Sequence, residues 1–132
     1  MAFTSGTVNV LFGGSETKSV AAGNKANSDQ FSVPAEAVNA TLHVKAENDS
    51  TPAAGDDVEV WLQRLGYPDG TGAYDVGEQS HILTVCDTNE DPTTKQSPSL
   101  PLPCSEGRLL FKNRSSGRSI TVSAEIETQE WA

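Results

Sequence analysis

The sequence predicts an all-β protein, a single antiparallel β-sandwich of about seven to eight short strands with long loops, of the jelly-roll or immunoglobulin-like kind. Apolar and polar residues alternate along several short segments, which is the pattern of half-buried strands, and no segment has the period of an amphipathic helix. Gly, Pro, Asn and Asp separate these segments. The 132 residues have the length of one domain, which we assign to residues 1–132.

The last predicted strand is the clearest, because apolar residues from Ile120 to Ile126 alternate with polar ones. The turn before it contains Gly117, which can adopt a positive φ, so we expect strands 109–113 and 119–127 to form a hairpin. A long connection is expected at 13–28. The remaining predicted strands are residues 7–12, 29–33, 41–46, 58–63 and 81–85.

Two segments beyond the strands are expected to make contacts: an ordered N-terminal arm and a Pro-rich loop at 87–107. Leu100 and Leu102 on this loop either fold back on the protein's own core or insert into a neighbouring subunit. Cys86 and Cys104 flank the loop. A disulfide between them would remove roughly 3 kcal/mol of unfolded-state loop entropy, whereas the alternative is two reduced thiols that pack as small apolar groups.

The composition indicates a thin core and an acidic surface. Leu, Ile, Val and Phe together make up about 20% of the chain, and the formal net charge is -9. An acidic chain without a basic run is a poor partner for nucleic acid. No apolar run approaches the ~20 residues that cross a bilayer, and the first residues lack the features of a signal peptide, so we expect no membrane association and synthesis in the cytoplasm.

No motif in the sequence predicts catalysis, a metal site or a cofactor. His43 falls on the polar face of strand 41–46, and His81 and Cys86 are an odd number of residues apart, which does not favour a Cys–His pair on one strand. No Gly-x-Ser-x-Gly motif occurs. The acidic segment 69–75 lacks the ligand spacing of an EF-hand and is interpreted as a turn.

Large apolar side chains are the candidates for contacts with partners. Trp61 falls among the polar residues of its strand. Three interpretations of it are open: a sugar-stacking platform together with Tyr67 and Tyr74, an interface anchor, or a residue covered by a loop. Trp131 is expected to dock on its own sheet or across an interface. The candidate interface residues are therefore Phe3, Trp61, Leu100, Leu102 and Trp131.

Three Asn-x-Ser/Thr sequons begin at Asn39, Asn48 and Asn113. The chain is rich in Ser and Thr, so chance accounts for matches of this kind. Because the sequence predicts no signal peptide, we expect no glycosylation at these positions.

Several segments together resemble small β-sandwich virion proteins of tailed bacteriophages. They are DVEVWLQ at 57–63 and DGTGAY at 69–74, followed by LLFKN at 109–113 and SITVSAEI at 119–126. The resemblance implies a non-enzymatic structural protein on the virion, made in the host cytoplasm, that decorates or cements the outer capsid surface through its loops and termini. The major capsid protein or other virion proteins would be its partners, and a homo-oligomer, often a trimer, would be its assembled form.

Two further functions are compatible with the same predicted fold. One is a carbohydrate- or receptor-binding β-sandwich, and the other is a head–tail connector or tail protein. In the virion hypothesis the thin core is tolerable, because binding to neighbouring subunits stabilises the folded state. We therefore expect the isolated protein to be marginally stable or to oligomerise.

Overall fold

The computed structural model describes residues 3–34, 36–49, 56–64, 80–84, 93–96 and 106–131. In these residues the chain forms antiparallel strands in two sheets and no helix, so the predicted all-β sandwich is confirmed. None of the described segments could therefore cross a membrane as a helix. The strands are β1 (Phe3–Val10), β2 (Lys18–Val20), β3 (Lys25–Asn27), β4 (Phe31–Ser32), β5 (Ala37–Asn48), β6 (Val58–Arg64), β7 (Ser80–Thr84), β8 (Thr93–Gln96), β9 (Glu106–Asn113) and β10 (Ile120–Trp131).

The N-terminal part of the chain forms one edge of each sheet. The first sheet has the order β1-β10-β5-β8, and β2 pairs with β10 beyond the end of β1. The second sheet has the order β3-β9-β6-β7, and β4 pairs with β9 beyond the end of β3. Strands β1 to β4 thus run along one side of the sandwich and connect its two layers.

Three local predictions were wrong. Strands β9 and β10 belong to different sheets, so residues 109–113 and 119–127 form no hairpin and the turn between them connects the layers. Gly117 has no positive φ in this connection. The expected long connection at 13–28 contains β2 and β3. Of the Pro-rich loop at 87–107, residues 93–96 form β8 and residues 106–107 begin β9, and the rest lies outside the described residues, so this prediction is not tested.

The core lies between the inner faces of the two sheets. The apolar positions of the alternating segments point inward as predicted, and the exposed fraction of each of these buried side chains is at most 7%. They are buried within a single chain, so no neighbouring subunit is required to cover them. The inward-facing residues include Leu42, Val44 and Ala46 of β5, Val58, Val60 and Leu62 of β6, Leu109 and Phe111 of β9, and Ile120, Val122 and Ile126 of β10.

A carboxylate holds the turn that follows β1. Gly13 and Gly14 have φ angles of +57° and +85°, a conformation that glycine adopts without steric cost. Their backbone N–H groups donate hydrogen bonds to the two carboxylate oxygens of Asp29, at 2.9 and 3.1 Å. The N–H of Asp29 donates to the carbonyl oxygen of Leu11 at 2.7 Å. These bonds fix the turn against the segment that leads into β4.

Gly107 in β9 provides a test of the packing between β9 and β6. A Cβ atom added at Gly107 would lie 2.9 Å from the backbone oxygen of Gln63, which cannot move without distorting the ladder. We expect Gly107→Ala to lower the free energy of unfolding by about 1–3 kcal/mol, measured by urea denaturation.

Gly117→Ala is the matched control for this substitution. A Cβ atom at Gly117 meets no atom within 4 Å, and its φ is not positive. We expect Gly117→Ala to leave the stability unchanged or to raise it by about 0.4–1 kcal/mol. Equal stabilities of the two variants would contradict the close approach of β9 to β6.

Candidate functional site

The outer face of the first sheet is polar across its three long strands. Because side chains alternate along a strand, the positions between the core residues of β5 and β10 face solvent. The same alternation applies to β1. We call this surface the outer polar face and define it by Ser5, Thr7 and Asn9 of β1, Ser123, Glu125, Glu127 and Gln129 of β10, and Asn39, Thr41, His43 and Lys45 of β5.

A depression of about 340 Å³ lies at the end of the outer polar face that contains Asn9, Glu125 and His43. The strand register places Asn9 opposite Glu125 and Glu125 opposite His43, so these residues form one row across three strands. Lys45 and Glu16 also line the depression. An amide, an imidazole, an ammonium and two carboxylates therefore line one shallow cavity, together with apolar residues that include Val10 and Leu11.

A second depression of about 330 Å³ lies further along the same strands. Its lining includes Asn39 and Gln129, and the Nδ2 of Asn39 donates a hydrogen bond to the Oε1 of Gln129 at 2.8 Å. Glu127 also lines it, and the Oε2 of Glu127 is 3.9 Å from the Nε2 of His43 in the first depression. Asn39 and His43 are four residues apart, which is about 13 Å along a strand. The two depressions thus lie along the same strands, and the His43–Glu127 contact lies between them.

The chemistry of this surface suits binding better than hydrolysis. A carboxyl group that acts as a general acid at neutral pH needs to be shielded from water. Glu125 is exposed, and the side chain of Glu127 is 59% exposed. Among the described residues, no three His, Cys, Asp or Glu side chains are arranged to hold a metal ion. The outer polar face offers many hydrogen-bond donors and acceptors to a ligand that lies across it.

Two of the candidate interface residues are paired in the register of β1 with β10. Phe3 of β1 lies opposite Trp131 at the end of β10 in the strand register. The prediction that both contribute to an interface stays a prediction. Leu100 and Leu102 lie outside the described residues, as do Cys86 and Cys104 with their alternative as a disulfide or as two thiols.

Trp61 lies on the outer face of the second sheet, away from the outer polar face. It is half-buried, and its Nε1 is shielded from solvent. Its cross-strand neighbour Leu110 is only 4% exposed, although Leu110 is not part of the core between the sheets. Of the three interpretations of Trp61, this burial favours a side chain covered by its own protein. Tyr67 and Tyr74 lie outside the described residues.

The sequence did not single out most of the residues of the outer polar face. His43 was expected on the solvent side of its strand and lies there, half-exposed. No sequence motif contains Asn9, Glu125 or Lys45. The sequence shows only that each is a polar residue next to a core residue, which predicts exposure and not a site. The register of β1 with β10 and of β10 with β5 is what brings Asn9 and Glu125 together.

A second polar cluster lies at one end of the sandwich and is buried. Asp56 is 2% exposed. Its Oδ2 accepts a hydrogen bond from the Nδ2 of Asn48 at 3.1 Å, and its Oδ1 accepts one from the Oγ of Ser115 at 2.8 Å. The Nε of Arg118 is 3.6 Å from the Oδ2 of Asp56. Because these groups bond to one another, the cluster joins the end of β5 to the connection between β9 and β10, and its role is structural.

The three sequon asparagines differ in their surroundings. Asn39 is exposed on the outer polar face, whereas Asn48 and Asn113 are buried. The Nδ2 of Asn113 donates hydrogen bonds to the carbonyl oxygens of Val20 and Arg118, both at 2.9 Å. The asparagines of two of the three sequons are therefore buried in the folded protein.

Comparisons with known proteins show the fold and not a family. No family model matches the sequence, and no curated protein matches it. Among solved structures, the chain is similar to part of dimeric latent PorU from Porphyromonas gingivalis, with 12% identity, a TM-score of 0.56, and coverage of 98% of this chain and 13% of that one.

A similar likeness is to a beta-porphyranase of glycoside hydrolase family 86 from Bacteroides plebeius, with 10% identity, a TM-score of 0.53, and coverage of 98% of this chain and 21% of that one. The chain also has a weaker likeness to a mutant of a family 29 carbohydrate-binding module. The TM-score is 0.49 and the identity 10%, and the likeness covers 95% of this chain and 92% of that one. This chain thus spans only 13% of PorU and 21% of the porphyranase. At these identities the likenesses to PorU and to the porphyranase show a shared fold and nothing more.

Removal of the buried carboxylate should destabilise the protein. Asp56→Ala leaves the donors of Asn48 and Ser115 without their acceptor, and we expect the free energy of unfolding to fall by about 2–4 kcal/mol in urea denaturation. Asp49→Ala removes an exposed carboxylate close by and should change stability by less than about 0.5 kcal/mol. Equal effects of the two substitutions would show that the buried cluster does not stabilise the fold.

Proposed function

We propose that this chain is a non-catalytic carbohydrate-binding β-sandwich that binds a glycan along the outer polar face. The observation that carries the proposal is the pair of depressions that lie along the outer polar face of β1, β10 and β5. Each hydroxyl of a sugar both donates and accepts hydrogen bonds. A row such as Asn9, Glu125 and His43 offers donors and acceptors side by side, which matches that pattern.

The placement of these side chains on strands supports binding. Ten consecutive residues of β10, from Ile120 to Gln129, pair with β5, while β1 and β2 pair along the opposite edge of β10. The backbone of such a strand is fixed before the ligand arrives, so binding orders side chains but little additional backbone. A surface of this kind can recognise an extended polar ligand without closing around it.

The structural comparisons are compatible with this proposal but do not carry it. One of the proteins that contain this fold is a glycoside hydrolase. The similarity covers a minor part of that enzyme and shows the fold alone, so the argument rests on the outer polar face.

The virion hypothesis stays a prediction based on resemblance, as does the head–tail alternative. One of its supports is weaker than expected, because the described core is buried within one chain. Binding of the purified protein to capsids that lack a decoration protein would favour it over the glycan hypothesis. A complete absence of such binding, together with glycan binding, would favour the present proposal.

The proposal predicts where a glycan binds and which substitution weakens it. A glycan array identifies a ligand, and NMR titration with that oligosaccharide should perturb the amides of β1, β10 and β5 on the outer polar face. Asn9→Ala removes hydrogen-bonding groups from the central row, and we expect it to weaken the affinity about 3–10-fold in calorimetric titration.

Asn27→Ala is the matched control, because Asn27 is also an exposed strand asparagine but lies in the second sheet. It should leave the affinity unchanged. Perturbations centred on Trp61, with loss of binding in Trp61→Ala, would instead place the glycan on the second sheet. The absence of binding to every glycan tested would overturn the proposal.

A further inference from the structure

The charges of the outer polar face indicate which kind of glycan it accepts. We propose that the face selects glycans by charge, binding amine-bearing sugars more tightly than uncharged ones and uncharged ones more tightly than sulfated ones, with Glu125 as a specificity-determining residue. This inference rests on the proposed function and adds to it the chemical class of the ligand.

The basic groups of the face already lie near carboxylates of the protein. The Nζ of Lys45 is 3.8 Å from the Oε2 of Glu47, and the Nε2 of His43 is 3.9 Å from the Oε2 of Glu127. A sulfate or a uronate that approached Lys45 or His43 would have to compete with these carboxylates. The face therefore provides no uncompensated positive charge for an anionic sugar.

Two carboxylates that line the first depression differ from Glu47 and Glu127 in their ion pairing. Glu16 and Glu125 are exposed and line the depression, and neither forms an ion pair with another residue of the described segments. Glu125 occupies the middle strand, between Asn9 and His43. An ammonium group on a bound sugar would meet these negative charges beside neutral hydrogen-bonding partners.

The magnitude of the selection follows from the exposure of these groups. A single solvent-exposed charge contact is weak, but several contacts with the same ligand add together. Glu16 and Glu125 against an amine-bearing ligand should give roughly a tenfold preference over a sulfated ligand at low salt. Salt screens exposed charges, so the preference should shrink as ionic strength rises to about 0.5 M.

The experiment compares four probes by calorimetric titration of the intact chain at low salt and at a pH where sugar amines are protonated. They are a glucosamine hexasaccharide, its N-acetylated counterpart, a sulfated carrageenan oligosaccharide of similar length, and oligolysine. We expect affinities in the order amine, acetylated, sulfated, with oligolysine weaker than the glucosamine hexasaccharide because it lacks the sugar hydroxyls.

The substitution Glu125→Gln tests the residue assignment, since it keeps the shape and removes the charge. We expect it to reduce the ratio of amine to acetylated affinity about 2–5-fold. Glu59→Gln makes the same change of charge on β6 of the second sheet and should leave that ratio unchanged. An unchanged ratio in Glu125→Gln, or equal changes in both variants, would overturn the role of Glu125.

The outcomes also separate this inference from the proposed function. Binding of the acetylated hexasaccharide with no preference for the amine, or tighter binding of the sulfated ligand, overturns charge selection and leaves glycan binding standing. Binding of oligolysine as tight as that of the glucosamine hexasaccharide overturns the inference by showing attraction to any cation. Failure of all three oligosaccharides to bind overturns charge selection, and the proposed function is overturned as well if no glycan of the array binds.

Discussion

The two-residue repeat along β5 and β10 is the constraint on which both the core and the candidate site depend. These strands pair over ten consecutive positions, from Ile120 opposite Asn48 to Gln129 opposite Asn39. One set of alternate side chains fills the space between the sheets, and the other set forms the outer polar face. A slip of one residue would exchange the two sets and bury carboxylates, so the energy that fixes the core also fixes the site.

The ends of the sandwich are held by polar groups rather than by additional apolar surface. Asp29 binds two backbone N–H groups at the turn after β1, and Asp56 accepts hydrogen bonds from β5 and from the connection between the sheets. In both places a carboxylate is matched by donors of the protein itself. The exposed carboxylates of the outer polar face differ, because their remaining hydrogen-bonding capacity is open to solvent and to ligands.

The sequence predicted the fold class and the longest strands, because alternation along β5, β6 and β10 is a local signal. It did not predict β2 and β3, since three residues such as Lys18–Val20 are too short to show a period. The turn before β10 has residues that are common in hairpins, but the local sequence does not determine which sheet the next strand joins. The candidate site could not be predicted from the sequence for a similar reason, because Asn9 and Glu125 become neighbours only through strand pairing. The prominence of Trp61 in the sequence came from its size, which carries no information on its burial.

The interior positions of Asn48 and Asn113 bear on how the protein can be produced. A eukaryotic secretory host attaches glycans to Asn-x-Ser/Thr sites, and a bulky, strongly hydrated oligosaccharide has no room where these two side chains pack. A chain that acquired the modification at either position before folding could not close the end of its sandwich. Bacterial expression avoids this conflict. Material secreted from yeast or mammalian cells would call for blocked glycosylation, because Ser115, the hydroxyl residue of the sequon at Asn113, also donates a hydrogen bond to Asp56 and cannot be replaced without cost.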